Sequence, residues 1–245
     1  LMAKCQTAVP AWIMTINKAL ESLDPKSNKF DVVIIDEASQ SDISALAIMY
    51  LAEKVIVVGD DEQVSPSGIG VDIGKSNALV SEFIKDIIPN YHLYDMKTSL
   101  YDIVNTTYRS LMLLEHFRCV PDIIGYSNKL SYDFKIKPLR DESSTCVKPS
   151  TVTYRVDGVR NGSQRTNLVE ARSIVALMLA CIEQPEYKNM TFGVITLLGN
   201  MQDVLINNLI LKKISIKEYE KRDILCGTPP HFQGTQRDII FLSMV

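Results

Sequence analysis

Val32-Val33-Ile34-Ile35-Asp36-Glu37-Ala38-Ser39 sets four apolar residues against two adjacent carboxylates. A short, unbroken apolar run closed by polar residues reads as a parallel strand covered on both faces. Three further runs share the pattern. They are Val55-Ile56-Val57-Val58 before Gly59-Asp60, Phe192-Gly193-Val194-Ile195 before Thr196, and Ile239-Ile240-Phe241-Leu242 before Ser243. Residues 43–51, 168–182 and 201–211 place apolar side chains three and four apart, the spacing of amphipathic helices. Strands alternating with helices predict an α/β fold with parallel sheets, whose ligands sit beyond the carboxyl ends of the strands. Residues 137–150 read as a connecting loop, and the alternation in residues 151–156 predicts a strand with one wetter face. No internal repeat is present.

The chain has 245 residues, enough for two modest domains, and a boundary near Thr106 divides it into 1–105 and 106–245. With 46% hydrophobic and 22% charged residues it has the composition of an ordinary globular protein. Its net charge of −3 excludes the broad basic field of a protein that coats nucleic acid, so any such contact is local. The longest apolar run, residues 174–182, is too short to span a bilayer. The five cysteines include no C-x-x-C pair, which argues against a zinc site or disulfide framework and fits a reducing, cytoplasmic setting. The first residues lack a signal-peptide pattern, and residues 239–245 end inside an apolar run. Both ends read as cuts through a longer protein.

Adjacent carboxylates at a strand end suit phosphate chemistry. Asp36 can hold a magnesium ion through water, because this ion keeps most of its hydration and takes one or two carboxylates plus phosphate oxygens. Glu37 can then orient and deprotonate an attacking water. The second strand runs into Gly59-Asp60-Asp61-Glu62-Gln63-Val64-Ser65-Pro66, where Gln63 can sense a γ-phosphate by hydrogen bonding. The two strand ends lie one strand-helix-strand unit apart.

Residues 32–40 and 57–66 resemble motifs II and III of superfamily 1 helicases, especially the DEAS group that includes the RNA-surveillance type. The later motifs follow in the family's order. Leu114-Glu115-His116-Phe117-Arg118-Cys119-Val120-Pro121 resembles motif IV, which implies that Arg118 is the finger reaching the γ-phosphate and Phe117 the ring stacking on adenine. Asn167-x-x-Glu170-Ala171 and Gly193-Val194-Ile195-Thr196 match the family's second domain, and Phe232-Gln233-Gly234-Thr235-Gln236-Arg237-Asp238 resembles motif V. The resemblance implies two RecA-like domains, the first incomplete, with ATP and Mg2+ as ligands and single-stranded DNA or RNA as the track. It also implies 5′ to 3′ travel. It puts Thr196 and the loop 228–234, with Thr228, His231 and Gln233, near the strand's phosphates, and Gly234 and Gln236 near the nucleotide. Hydroxyl and backbone donors suit phosphate contacts, which position a strand without reading it.

Two departures weaken local expectations. Gln236 stands where the family carries a glutamate that can bind the ribose, so a weakened contact is expected. Ile195-Thr196-Leu197-Leu198 replaces the family's Ile-Thr-Pro-Tyr. A phosphate loop of the form G-x-x-x-x-G-K-[ST] is not found. Gly74-Lys75-Ser76 is rejected, because the glycine required five residues earlier falls on Ile69 and no buried strand precedes it. Residues 8–20 resemble the stretch between that loop and motif II, and Trp12 reads as a core residue. Lys212, Lys213, Lys217, Lys221 and Arg222 read as a solvated helical face.

The expected function is an ATP-dependent helicase or single-strand translocase motor, with accessory domains elsewhere in the protein and motif VI outside this stretch. By itself this chain is expected to hydrolyse ATP negligibly. A nucleotide-driven switch that never travels on nucleic acid, and a degenerate helicase-like scaffold, remain the alternatives.

Overall fold

The computed structural model describes residues 8–63, 65–66, 72–95, 97–163, 165–197 and 201–245. The chain divides into two compact units, Leu1–Met112 and Leu113–Val245. The division falls beyond Thr106 because Thr106, Thr107 and Tyr108 donate their backbone N–H groups to Ile103 and Val104 and extend the last helix of the first unit.

In the first unit, α1 (Ile16–Ser22) starts at Thr15, whose hydroxyl accepts from the Lys18 N–H. β1 (Phe30–Ile35) follows, then a tight turn (Ala38–Gln40) and the short α2 (Leu46–Met49). β2 (Ala52–Val57) lies parallel to β1, in register from Phe30 against Ala52 to Ile35 against Val57. α3 (Ile73–Phe83) and α4 (Leu100–Asn105) complete the unit, α4 being opened by a reciprocal cap between Ser99 and Asp102. β-Branched residues dominate β1 and β2 because a pleated surface accommodates their stiff side chains. One face of the pair packs on Ala19, Leu23, Ala38, Ile48 and Leu100, and Trp12 joins this core edge-on to Phe30 at 6.1 Å.

The other face corrects the expectation of two-sided burial. Val32, Ile34, Ile56 and Val58 are 40–65% exposed. Side chains alternate faces along a strand, so the residues between those that meet the core point away from it, and no element among the described residues covers them.

In the second unit, β3 (Glu115–His116) pairs parallel with β4 (Lys137–Pro138) across α5 (Pro121–Ser131). Residues 137–150 are therefore not loop throughout. α6 (Leu168–Glu183) precedes β5 (Phe192–Thr196), and α7 (Gln202–Lys213) with α8 (Ile216–Lys221) forms the crossover to β6 (Leu225–Gly227). β7 (Ile239–Ser243) closes a three-stranded parallel sheet ordered β6-β5-β7. Phe192 and Val194 of the central strand are fully buried among Ile174, Met178, Ile206 and Ile210.

Two expectations fail here. Residues 151–156 form no strand: no neighbouring strand pairs with them, and Val152 and Tyr154 are exposed. Arg222 does not belong to a solvated face. It is 2% exposed, with its guanidinium 4.9 Å above the Phe192 ring. Its Nε donates to Glu218 at 2.9 Å and its Nη1 to the Tyr187 carbonyl. No helix among the described residues is long and apolar enough to cross a membrane.

Candidate functional site

Asp36 and Glu37 stand at the carboxyl end of β1, as the alternation of strands and helices predicts. Glu37 adopts the left-handed conformation, with φ 53° and ψ 38°. For a residue with a side chain this costs about 1–2 kcal/mol, and such strain collects at functional sites. Two hydrogen bonds hold the arrangement. The Glu37 N–H donates to Asp36 Oδ1 at 2.9 Å, and Gln40 Nε2 donates to Glu37 Oε2 at 2.9 Å. Asp36 remains exposed.

The β2 end is stitched to this turn. Val58 N–H donates to the Ile35 carbonyl and Ala38 N–H to the Val58 carbonyl, both at 2.8 Å. The buried Ser39 hydroxyl accepts from the Asp60 N–H at 3.2 Å. Gly59 is required for a close approach: a Cβ there would lie 2.7 Å from the Tyr101 ring and 3.1 Å from the Ser39 nitrogen. Burial and the neighbouring Asp61 and Asp60 carboxylates raise the Tyr101 phenol above its ordinary pKa. Gln63 is exposed and turns its amide onto Asp60 Oδ2 at 3.1 Å. Asp36, Glu37 and Gln63 thus share one corner of the first unit. Val64 lies outside the described residues. Gly74-Lys75-Ser76 sits inside α3, where Asp72 caps the Lys75 N–H at 3.2 Å, and is no phosphate loop.

In the second unit, Phe117 and Arg118 occupy the turn between β3 and α5. Both are exposed, Phe117 by 68%, and the Arg118 guanidinium has no ion-pair partner among the described residues.

At the carboxyl end of the second sheet, Thr196 of β5 faces Ser243 of β7 across the ladder. Thr196 Oγ1, Ser243 Oγ and Gln233 Nε2 are buried without hydrogen-bond partners among the described residues. Unmet buried polar atoms are costly and mark places where a further donor or acceptor is expected. The loop 228–236 is anchored at both ends. Thr228 N–H donates to His231 Nδ1 at 3.1 Å, the Thr191 N–H and hydroxyl donate to Asp238 Oδ2 at 2.8 Å, and Arg237 pairs with Asp223 at 3.0 Å. Gly234 turns the loop with φ +70°, and its neighbour Gln236 is exposed. Leu198 lies outside the described residues. Burial pushes the thiol of Cys226, in β6, up to about 12.

Two family models, each described as an AAA domain, match residues 13–69 and 96–245. The second alone spans more than half of the chain. The chain belongs to the AAA domain family. Within it, the chain is similar to the uncharacterised ATP-dependent helicase MG140 of Mycoplasma genitalium, 27% identical over 96% of this chain and 22% of the relative. It is also similar to the 5'-3' DNA helicase ZGRF1 of Mus musculus, at 26% over 89% of this chain and 11% of that protein. Helicase sen1 of Schizosaccharomyces pombe matches at 27%, over 89% of this chain and 13% of its own length. The chain therefore spans about a fifth or less of these relatives. The ordered motifs and these relatives make it a superfamily 1 helicase sequence with RecA-like parallel sheets.

Two residues at the candidate site of this AAA chain, Gln40 and Tyr101, escape sequence reading. Gln40 carried a faint signal, three residues after Glu37 and so one turn away. Tyr101 carried none, because Gly59, which its ring crowds, is distant in sequence.

Proposed function

We propose that this chain is the motor portion of an ATP-driven translocase or helicase that moves on single-stranded DNA or RNA, in the 5′ to 3′ sense. The single observation that carries the reading is the corner where Ser39 and Gly59 bind the Asp36-Glu37 turn to the loop bearing Gln63.

The residues divide the chemistry. The Asp36 carboxylate, exposed and tied by only one oxygen, fits a magnesium ion that draws its other ligands from water and phosphate. When bound, the ion supplies neutralisation of the phosphate oxygens. Glu37 takes the proton from the water that attacks the γ-phosphorus as the bond to the ADP oxygen breaks. Gln40 aims the Glu37 carboxylate, and Gln63 orients the water and registers loss of the γ-phosphate. Arg118 supplies positive charge to the phosphoryl group in flight, Phe117 stacks on the adenine, and Gly234 with Gln236 borders the nucleotide. Thr196, Thr228, His231 and Gln233 hold the strand's phosphates. The free cysteines Cys119, Cys146, Cys181 and Cys226 suit a reducing cytoplasm, and the greater length of the relatives suits accessory domains.

ATP turnover by the full-length protein, measured with and without single-stranded oligonucleotides, tests the proposal. Stimulation by the strand is the expected result. Turnover indifferent to any strand would favour a nucleotide-driven switch, and no turnover at all would favour a catalytically silent scaffold.

A further inference from the structure

The turn that presents Phe117 and Arg118 is held by residues to which no role has so far been given. It spans only residues 117–120, between the last residue of β3 and the proline that opens α5. Inside it, the His116 imidazole folds back so that Nε2 accepts the Cys119 N–H at 2.9 Å. On its other side, Arg140 Nη1 donates to the Arg118 carbonyl at 2.7 Å.

Arg140 is itself well placed for this contact. It follows β4, whose extension is paired to β3 by the Leu139 N–H donating to the His116 carbonyl at 2.8 Å. β4 is in turn fastened to α5 by Asn128. Its amide donates to the Ile136 carbonyl at 2.8 Å and accepts from the Ile136 N–H at 2.9 Å. The backbone of the turn is thus fixed from both flanks, while the Phe117 and Arg118 side chains remain exposed. A rigid support beneath a free side chain is what a group needs to meet a ligand without reordering its own backbone.

We propose that His116 and Arg140 are positioning residues for Arg118: they fix the backbone from which the guanidinium reaches the γ-phosphate. The proposal rests on the reading of Arg118 as the finger. It requires an unprotonated acceptor at residue 116, which glutamine also provides through its side-chain carbonyl.

The test uses single-strand-stimulated ATP turnover by the full-length protein. His116→Ala and Arg140→Ala are each expected to lower kcat about tenfold while KM for ATP stays within about twofold, since misplacing a group costs the chemical step rather than binding. His116→Gln should recover most of the loss. In an Arg118→Ala background the extra losses should vanish, because a support has no effect once the group it supports is gone. Wild-type kcat in both supporting variants, with Arg118→Ala impaired, would overturn this proposal alone. Losses from His116→Ala and Arg140→Ala that persist in full in the Arg118→Ala background would overturn it too. Wild-type kcat in Arg118→Ala would overturn the finger reading itself, and this proposal with it. Should His116→Ala fail to fold, Arg140→Ala and its double variant with Arg118→Ala decide by the same criteria.

Discussion

Glu37 stands in a backbone conformation that residues with side chains avoid, and Gln40 grips the carboxylate that results. Removing the grip should matter less than removing the carboxylate. Gln40→Ala is expected to lower ATP turnover about tenfold, well short of a general base's contribution of about 10^2–10^4; steady-state rates on the two variants check the order. His116 makes a different prediction. Burial, with the Arg118 charge in second place, holds its pKa below the ordinary 6.5. The folded state therefore resists a proton that the unfolded state accepts, so stability is full above pH 6.5 and declines as pH falls from 6.5 toward the lowered folded value. Denaturant midpoints should fall across that interval, and by less in His116→Gln, which cannot titrate. At this scale the sequence was informative where chemistry is local. The places of Asp36 and Glu37 just after β1, and of Gln63 beyond β2, were legible because the apolar runs that precede them are local patterns.

Elements were legible to the extent that their patterns are local too. The four apolar runs correspond to β1, β2, β5 and β7, and the long helix read from residue 168 appears as α6 (Leu168–Glu183). Residues 151–156 had the right alternation, but a strand also needs a partner to complete its ladder, and none meets it. Arg222 was misread for a related reason: nothing in a lysine-rich stretch tells which cation turns inward. Its guanidinium binds the Glu218 carboxylate, the Ile182 carbonyl of α6 and the Tyr187 carbonyl between α6 and β5, joining the end of α8 to both. Arg222→Ala should cost about 3 kcal/mol or more of stability, since it strands buried carbonyls and a partner charge. Urea unfolding measures the loss. The Arg222 hydrogen bond also holds Glu218 below the ordinary carboxylate value of 4.5, so this share of stability is present above pH 4.5 and is lost as pH falls below it. The polar joint beside Thr196 is comparable. Gln202 accepts from the Asn167 N–H at 2.9 Å, while Asn167 caps α6 and Glu170 accepts from the Met244 N–H at 2.9 Å. It ties the ends of α6, α7 and β7 at the edge where the orphaned hydroxyls lie.

Across the molecule the two units differ in how well they are covered. β5 is buried along nearly its whole length between helices and neighbouring strands, whereas β1 and β2 leave Val32, Ile34 and Ile56 exposed. Backbone hydrogen bonds with apolar cover on both sides open less often. Amide hydrogen exchange on this chain should therefore be slowest in β5 and markedly faster in β1 and β2; equal protection would contradict the contrast. In the proposed reading the Asp36-Glu37 turn is the hydrolytic centre of a strand-driven motor. Its most direct test is Glu37→Gln in the full-length protein, with nucleotide binding and strand-stimulated turnover measured together. Binding within a few-fold of wild type and turnover reduced by about 10^2 or more are expected, while near-normal turnover in Glu37→Gln would rule out this role for the turn.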